Sequence, residues 1–179
     1  MYKKRKIDFI IRESEYDKII FRFYPRKSSC HSFGDKPPKS WDDVYKVYYS
    51  YRIIRIWKID NNSHEILYKC GCDEGSVIDE IAAVCKYLSE GKKQVTKTYP
   101  KNLGGDTVTI ELLNREIFPM GYGTSWTIKE SRDKESYKFE LFGWNDVGYR
   151  FWLPKAKAKE FGEYLEECCE YMLAHGDPI

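Results

Sequence analysis

Apolar and polar positions alternate with period two along most of this chain, and in two places the period lengthens to that of a helix. Ile7, Phe9 and Ile11 alternate with Asp8 and Arg12, and Ile19, Phe21 and Phe23 alternate with Lys18 and Arg22. Successive side chains of a strand point to opposite faces, so each run predicts a strand with one dry face. The polar residues 14–17 between them predict a turn. After a loop over 25–40 rich in Ser, Gly, Pro and Lys, the odd positions Tyr45, Val47, Tyr49, Tyr51, Ile53, Trp57 and Ile59 are apolar, with Arg55 the exception. That pattern predicts a long strand bent by a bulge near Ile54. Residues 60–63 read as a turn and 65–70 as the returning strand. Ile78, Ile81, Ala82, Cys85 and Leu88 then recur at helical spacing behind a capping pattern at Ser76 and Asp79, and Gly91 ends the helix.

The second half repeats this layout. A linker over 92–106 carries Pro100, Gly104 and Gly105. Val108, Ile110 and Leu112 predict a strand, the 119–123 segment a loop, and Trp126 and Ile128 the next strand. Tyr137, Phe139 and Leu141 alternate with Lys138 and Glu140. Tyr149, Phe151 and Leu153 alternate with Arg150 and Trp152, and the turn residues at 144–148 join the two runs as a hairpin. Pro154 suits a first helical turn, where no backbone N–H is needed. Ala158, Phe161, Leu165, Cys168 and Met172 then form one apolar stripe, ended by Gly176 and Pro178. The expected fold is antiparallel α+β with two main helices. Its halves, 1–95 and 96–179, both read as ββββα and form one compact unit; whether they descend from a duplication stays open.

Composition narrows the function classes. The chain has 179 residues, 42% hydrophobic and 16% aromatic, enough to bury a real core. Its formal charge of +2 argues against both a bulk-basic nucleic-acid binder and a strongly acidic mimic of DNA. The balance hides an asymmetry, because residues 1–95 hold 19 Lys or Arg against 14 Asp or Glu and residues 96–179 hold 11 against 14. The basic start is followed by an apolar run broken at Asp8 and Arg12, which is a poor signal-peptide core, and nothing approaches a membrane span. Six cysteines in that context predict reduced thiols and a cytoplasmic setting.

Candidate chemistry is sparse. Cys70, Cys72, Cys168 and Cys169 lack the spacing of a zinc site, and His31, His64 and His175 are scattered, so no metal or other cofactor is expected. No Gly-x-Ser-x-Gly elbow occurs, and Cys30 next to His31 does not make a dyad. A metal-dependent nuclease built from Asp60, Glu65, Asp106, Glu111 and Lys129 is the runner-up to a non-enzyme. Arg12, Arg22, Arg52 and Lys58, with Tyr24 and Tyr48, fall on the polar side of their strands, and Arg with Tyr on a sheet is how several RNA-binding modules hold their ligands. An ordinary solvated face explains the same residues, and no known RNA-binding signature accompanies them. In the last helix Lys155, Lys157 and Lys159 crowd the N-terminal turns while Glu163, Glu166, Glu167 and Glu170 follow, the reverse of what the helix dipole favours. With Trp144, these residues predict a bipolar surface that meets a protein partner.

The segment EFGEYLEECCEYMLAHGDPI following GYRFWLP resembles small orphan proteins of phages and mobile elements of Gram-positive bacteria, some of which are anti-CRISPR inhibitors of a Cas9 nuclease. The resemblance covers the last quarter and carries over no site residues. It implies a non-catalytic inhibitor that binds a larger protein or ribonucleoprotein, such as Cas9 with its guide RNA. The alternatives are a nucleic-acid binder or processing protein using the basic first half, and an immunity protein that neutralises a toxin.

Overall fold

In a computed structural model the described residues are 8–25, 48–60, 63–117, 124–143 and 148–175, with backbone alone at 25, 48–50, 71–76 and 171–175. Strands β1 (Asp8–Glu13), β2 (Asp17–Pro25), β3 (Tyr48–Trp57) and β4 (His64–Glu74) form an antiparallel meander in that order, followed by helix α1 (Gly75–Ser89). The second half places β7 (Glu116–Ile117), β8 (Ser125–Glu130), β9 (Ser136–Phe142) and β10 (Tyr149–Pro154) in a second antiparallel sheet, followed by α2 (Lys155–His175). The chain is therefore α+β, and each half is a four-stranded meander closed by a helix.

Between the halves stands an element that the alternation conceals. β5 (Gln94–Thr98) and β6 (Thr107–Glu111) pair only with each other, as a ribbon with a 3-10 turn at Lys101–Leu103. The 92–106 stretch expected as linker thus contains a strand, and the run at 108–112 belongs to the ribbon. The fourth strand of the second sheet is the two-residue β7, too short to show a period. In β5 only Val95 is apolar, so Thr96 and Thr98 supply strand preference without alternation.

A single apolar cluster joins both sheets and both helices. The inward residues of the first sheet include Phe9, Phe21, Phe23, Tyr51, Ile53 and Tyr68; those of the second include Trp126, Ile128, Phe139, Leu141, Phe151 and Leu153. Phe161 of α2 stands at the centre, with ring centroids 5.0 Å from Phe9, 5.3 Å from Phe21, 5.6 Å from Phe139 and 5.8 Å from Phe151. Trp126 meets Tyr51 at 5.6 Å, so the inner faces also touch directly. The helices approach closely at Gly162, where a Cβ would lie 2.7 Å from that of Cys85.

Doublets and bulges decide which side chains point away from this cluster, although Ile20 and Ile54 among them are still buried. Ile10-Ile11, Ile19-Ile20 and Ile53-Ile54 each supply one side chain to each face. The outer members form an in-register row, Ile10, Ile20, Ile54 and Ile66, across all four strands of the first sheet. The irregularity near Ile54 is present, but the extra residue is Leu67 on the partner strand β4.

Candidate nucleic-acid interface

The outer face of the second sheet is built by the β8–β9–β10 register. Lys129, Lys138 and Trp152 lie side by side on neighbouring strands; one step along lie Thr127, Glu140 and Arg150, and Phe142 lies beyond. A strand residue whose neighbours point inward must point outward. Here the inward neighbours Ile128, Tyr137, Phe139, Phe151 and Leu153 are all in the core. Trp152 is 54% exposed and Phe142 37%, unusual exposure for large aromatics at solvent-facing positions. Four residues at the rise of a strand plus one strand spacing separate the two backbone positions by about 14 Å.

One buried carboxylate sits among the cations. Glu140 is 3% exposed and is met by Lys138 at 2.9 Å, Arg150 at 3.1 Å and Lys129 at 3.2 Å. Burial opposes its ionisation, but the close ammonium groups of Lys138 and Lys129 and the hydrogen bond from Arg150 outweigh that and bring its pKa down to about 2. The three cations stay between 29% and 57% exposed, so their outer faces remain open to a further anion.

The first sheet has a comparable row. Arg22, Arg52 and Lys69 are in register across β2, β3 and β4. Asp8 accepts two hydrogen bonds from Arg22, at 2.6 and 2.9 Å, which raises the guanidinium pKa further. Arg52 lies over the Tyr24 ring at 4.9 Å, a cation–π contact. Of the basic and aromatic residues singled out from sequence, Arg22, Arg52 and Tyr24 therefore share one face.

Arg12 and Lys58 leave it. The bulge at Ile11 sets Arg12 opposite Ile19, on the row of Arg55, and there it meets Asp17 at 3.2 Å while Arg55 approaches the same carboxylate at 3.3 Å. Lys58 lies beyond the end of β3 and pairs with Glu13 at 2.9 Å. The Tyr48 side chain and Trp144 lie outside the described residues, as do most of the 25–40 segment expected as a loop, Tyr45 and Val47 of the expected long strand, the 119–123 segment, Cys30, His31 and Gly176.

On α2, Lys155 is drawn inward, bonding to Glu130 at 3.0 Å and lying 5.4 Å from the Tyr137 ring centroid; Lys157 lies 5.9 Å from that of Phe9. Lys159 is exposed and reaches Glu163 at 4.0 Å. Glu163, Glu166, Glu167 and Glu170 are all exposed. The bipolar helix is thus an acidic surface whose first two lysines are occupied with the body of the protein.

The nuclease set is dispersed: Glu65 faces Arg55, Lys129 faces Glu140, Asp60 follows β3, and Asp106 and Glu111 belong to the ribbon. Among the described residues no group of three or more His, Cys, Asp or Glu could hold a metal ion. Cys70, Cys85, Cys168 and Cys169 are buried; burial pushes the Cys85 thiol up to about 12 and that of Cys169 well above its ordinary value. Among the described residues no helix is long and apolar enough to cross a membrane.

The face of the second sheet was missed in the sequence reading, although a signal for it was present. Trp152 is a large aromatic at a polar-parity position of a strand that otherwise alternates cleanly. Its basic neighbours fall in the half with negative net charge, because the glutamates of that half gather on α2.

No protein-family model matches the chain, and no curated protein matches it. Among solved structures, one described as the structure of the plant transcriptional regulator PBF-2 aligns over 97% of this chain and 85% of that one, at 10% identity and a TM-score of 0.42. A likeness that distant assigns no function.

Proposed function

We propose that the protein binds single-stranded nucleic acid on the outer face of its second sheet, with the Arg22, Arg52 and Lys69 row of the first sheet as a further phosphate contact. The observation that carries this reading is the register of like charges. Lys129 stands directly opposite Lys138, and Arg22 opposite Arg52 opposite Lys69. Like charges directly opposite one another destabilise a sheet, and folding does not require them on an outer face. Glu140 between Lys129 and Lys138, and Asp8 on Arg22, offset part of that repulsion, and each row keeps a net positive charge for a polyanion lying across the strands. Trp152 and Phe142 beside the cations offer stacking surfaces, which only unpaired bases can use. This reading needs no catalytic group and no cofactor, and its proposed setting is the cytoplasm.

The test is fluorescence anisotropy with a labelled oligothymidylate and with a duplex of the same length, over a range of salt. Expected are preference for the single strand, affinity falling log-linearly with salt, and a loss of about 5- to 150-fold in Trp152→Ala, the equivalent of about 1–3 kcal/mol for one stacked base. Absence of binding at about 50 mM salt, or equal affinity for the duplex, overturns the reading.

A second reading rests on the four exposed glutamates of α2. In it the protein is an inhibitor that docks this acidic face on a basic surface of a larger protein, with Cas9 as the concrete case. Capture of Cas9 with guide RNA from a nuclease-treated mixture, lost on reversing Glu166, Glu167 and Glu170 to Lys with the melting temperature unchanged, supports it. Failure to retain Cas9 removes it.

A further inference from the structure

Glu140 has no role in forming the apolar core, yet it is the most buried carboxylate in the second sheet and lies in the middle of the proposed nucleic-acid face. Its Oε1 meets Lys129 at 3.2 Å and Lys138 at 2.9 Å, and its Oε2 meets Arg150 at 3.1 Å. Three cations from three adjacent strands thus converge on two oxygens, much as they would on a bound phosphate. Building on the nucleic-acid reading, the geometry points to Glu140 as a resident phosphate surrogate: an internal anion that holds the three cations in place and competes with the ligand for them, keeping affinity below what the cations alone would give.

The argument follows from charge and position. Without an anion, Lys129, Lys138 and Arg150 would repel one another across strands spaced about 4.8 Å apart, and their flexible side chains would splay. With Glu140 they are pre-arranged, but each gives part of its hydrogen-bonding capacity and field to a carboxylate that stays ionised at every physiological pH. A phosphate arriving from outside finds a set of net charge +2 instead of +3 and must share the field of the cations with Glu140. Fewer counterions are released per phosphate bound, so binding is weaker and less sensitive to salt than three cations would make it.

Glu140→Gln keeps the shape and removes the charge. Its expected effect is about tenfold tighter binding of oligothymidylate, with a log–log salt slope steeper by about 0.7 for each additional phosphate that the freed cations neutralise. The salt slope separates this role from a structural one, since a loosened fold weakens binding without steepening the slope. Unchanged or weaker binding by a folded Glu140→Gln overturns the inference while leaving the nucleic-acid reading intact; failure of the unaltered protein and of Glu140→Gln to bind any single strand overturns both. Should Glu140→Gln not fold, Glu140→Asp, whose carboxylate is withdrawn from the cations by one methylene while the net charge stays the same, is expected to tighten binding by a smaller amount with little change in slope, and no tightening overturns the inference.

Discussion

Gly162 offers a test in which two known effects have opposite signs. It lies in the interior of α2, where glycine is about 1 kcal/mol less favourable than alanine, so Gly162→Ala would stabilise the protein if the helix stood alone. The structure predicts the reverse. The new Cβ would lie 2.7 Å from the Cβ of Cys85 and 3.2 Å from the carbonyl oxygen of Ala82, where carbon atoms in contact normally stand about 3.5–4.0 Å apart. Both neighbours are fixed to the α1 backbone, so no side-chain rotation relieves the clash. The helices must part by about 1 Å, in the upper part of the roughly 1–3 kcal/mol range for overpacking. After subtracting the gain in helix preference, the expected net loss is about 1–2 kcal/mol, or about 3–6 °C in melting temperature for a chain of this size. Thermal unfolding followed by circular dichroism measures it. A rise in melting temperature would refute the close helix crossing, and with it the account of how α1 and α2 hold the halves together.

Two further outcomes follow from the charged groups of the outer faces. Glu140 ionises more readily in the folded chain than at its ordinary value of 4.5, so its contribution is complete above about 4.5 and is lost as the pH falls toward about 2. The shift sets an upper bound of roughly 3 kcal/mol, which exposure of Lys129 and Arg150 reduces to about 1–2 kcal/mol; Glu140→Gln should flatten the fall in melting temperature over that interval, and an unaltered profile would refute the ion-pair account. Arg52→Ala removes one member of a cation row and the contact with Tyr24, and its partly exposed position predicts a stability change within about 0.5 kcal/mol. Its effect on oligothymidylate binding should be a uniform weakening across sequences with a salt slope shallower by about 0.7, and an unchanged slope would exclude the first sheet from the interface.

The alternation of Phe21 and Phe23, or of Phe139 and Leu141, was legible because each occupies the dry side of a strand with one buried face. The stripes at Ala158, Phe161 and Leu165, and at Ile78, Ile81 and Cys85, were legible for the same reason at helical spacing. The sequence pattern is silent where an element is too short or its apolar signal too weak, as in β7 and β5. Parity also fails after a bulge: the extra residue at Ile11 carries Arg12 away from the face of Arg22 and Arg52, although all three looked equivalent along the chain. The candidate interface was only half visible for a different reason. Lys129, Lys138, Glu140 and Arg150 come from three strands, and only the register set by two turns makes them neighbours.

That dependence on register also limits how the cation rows can be explained. The row in the first sheet crosses β2, β3 and β4, and the row in the second crosses β8, β9 and β10, which are the second, third and fourth strands of each meander. Arg52 is flanked by inward Tyr51 and Ile53, and Lys138 by inward Tyr137 and Phe139, so both occupy the same place relative to the core. Core packing constrains only the inward neighbours and would accept Thr, Ser or Gln at either outer position. The identities in the two rows differ, with Lys69 in one corresponding to Trp152 in the other, but positive charge is retained on the second and third strands of both. A surplus of positive charge that core packing does not require, placed alike in two halves whose residues otherwise differ and only partly offset by Asp8 and Glu140, fits selection for an anionic ligand lying across the strands better than it fits indifferent solvation.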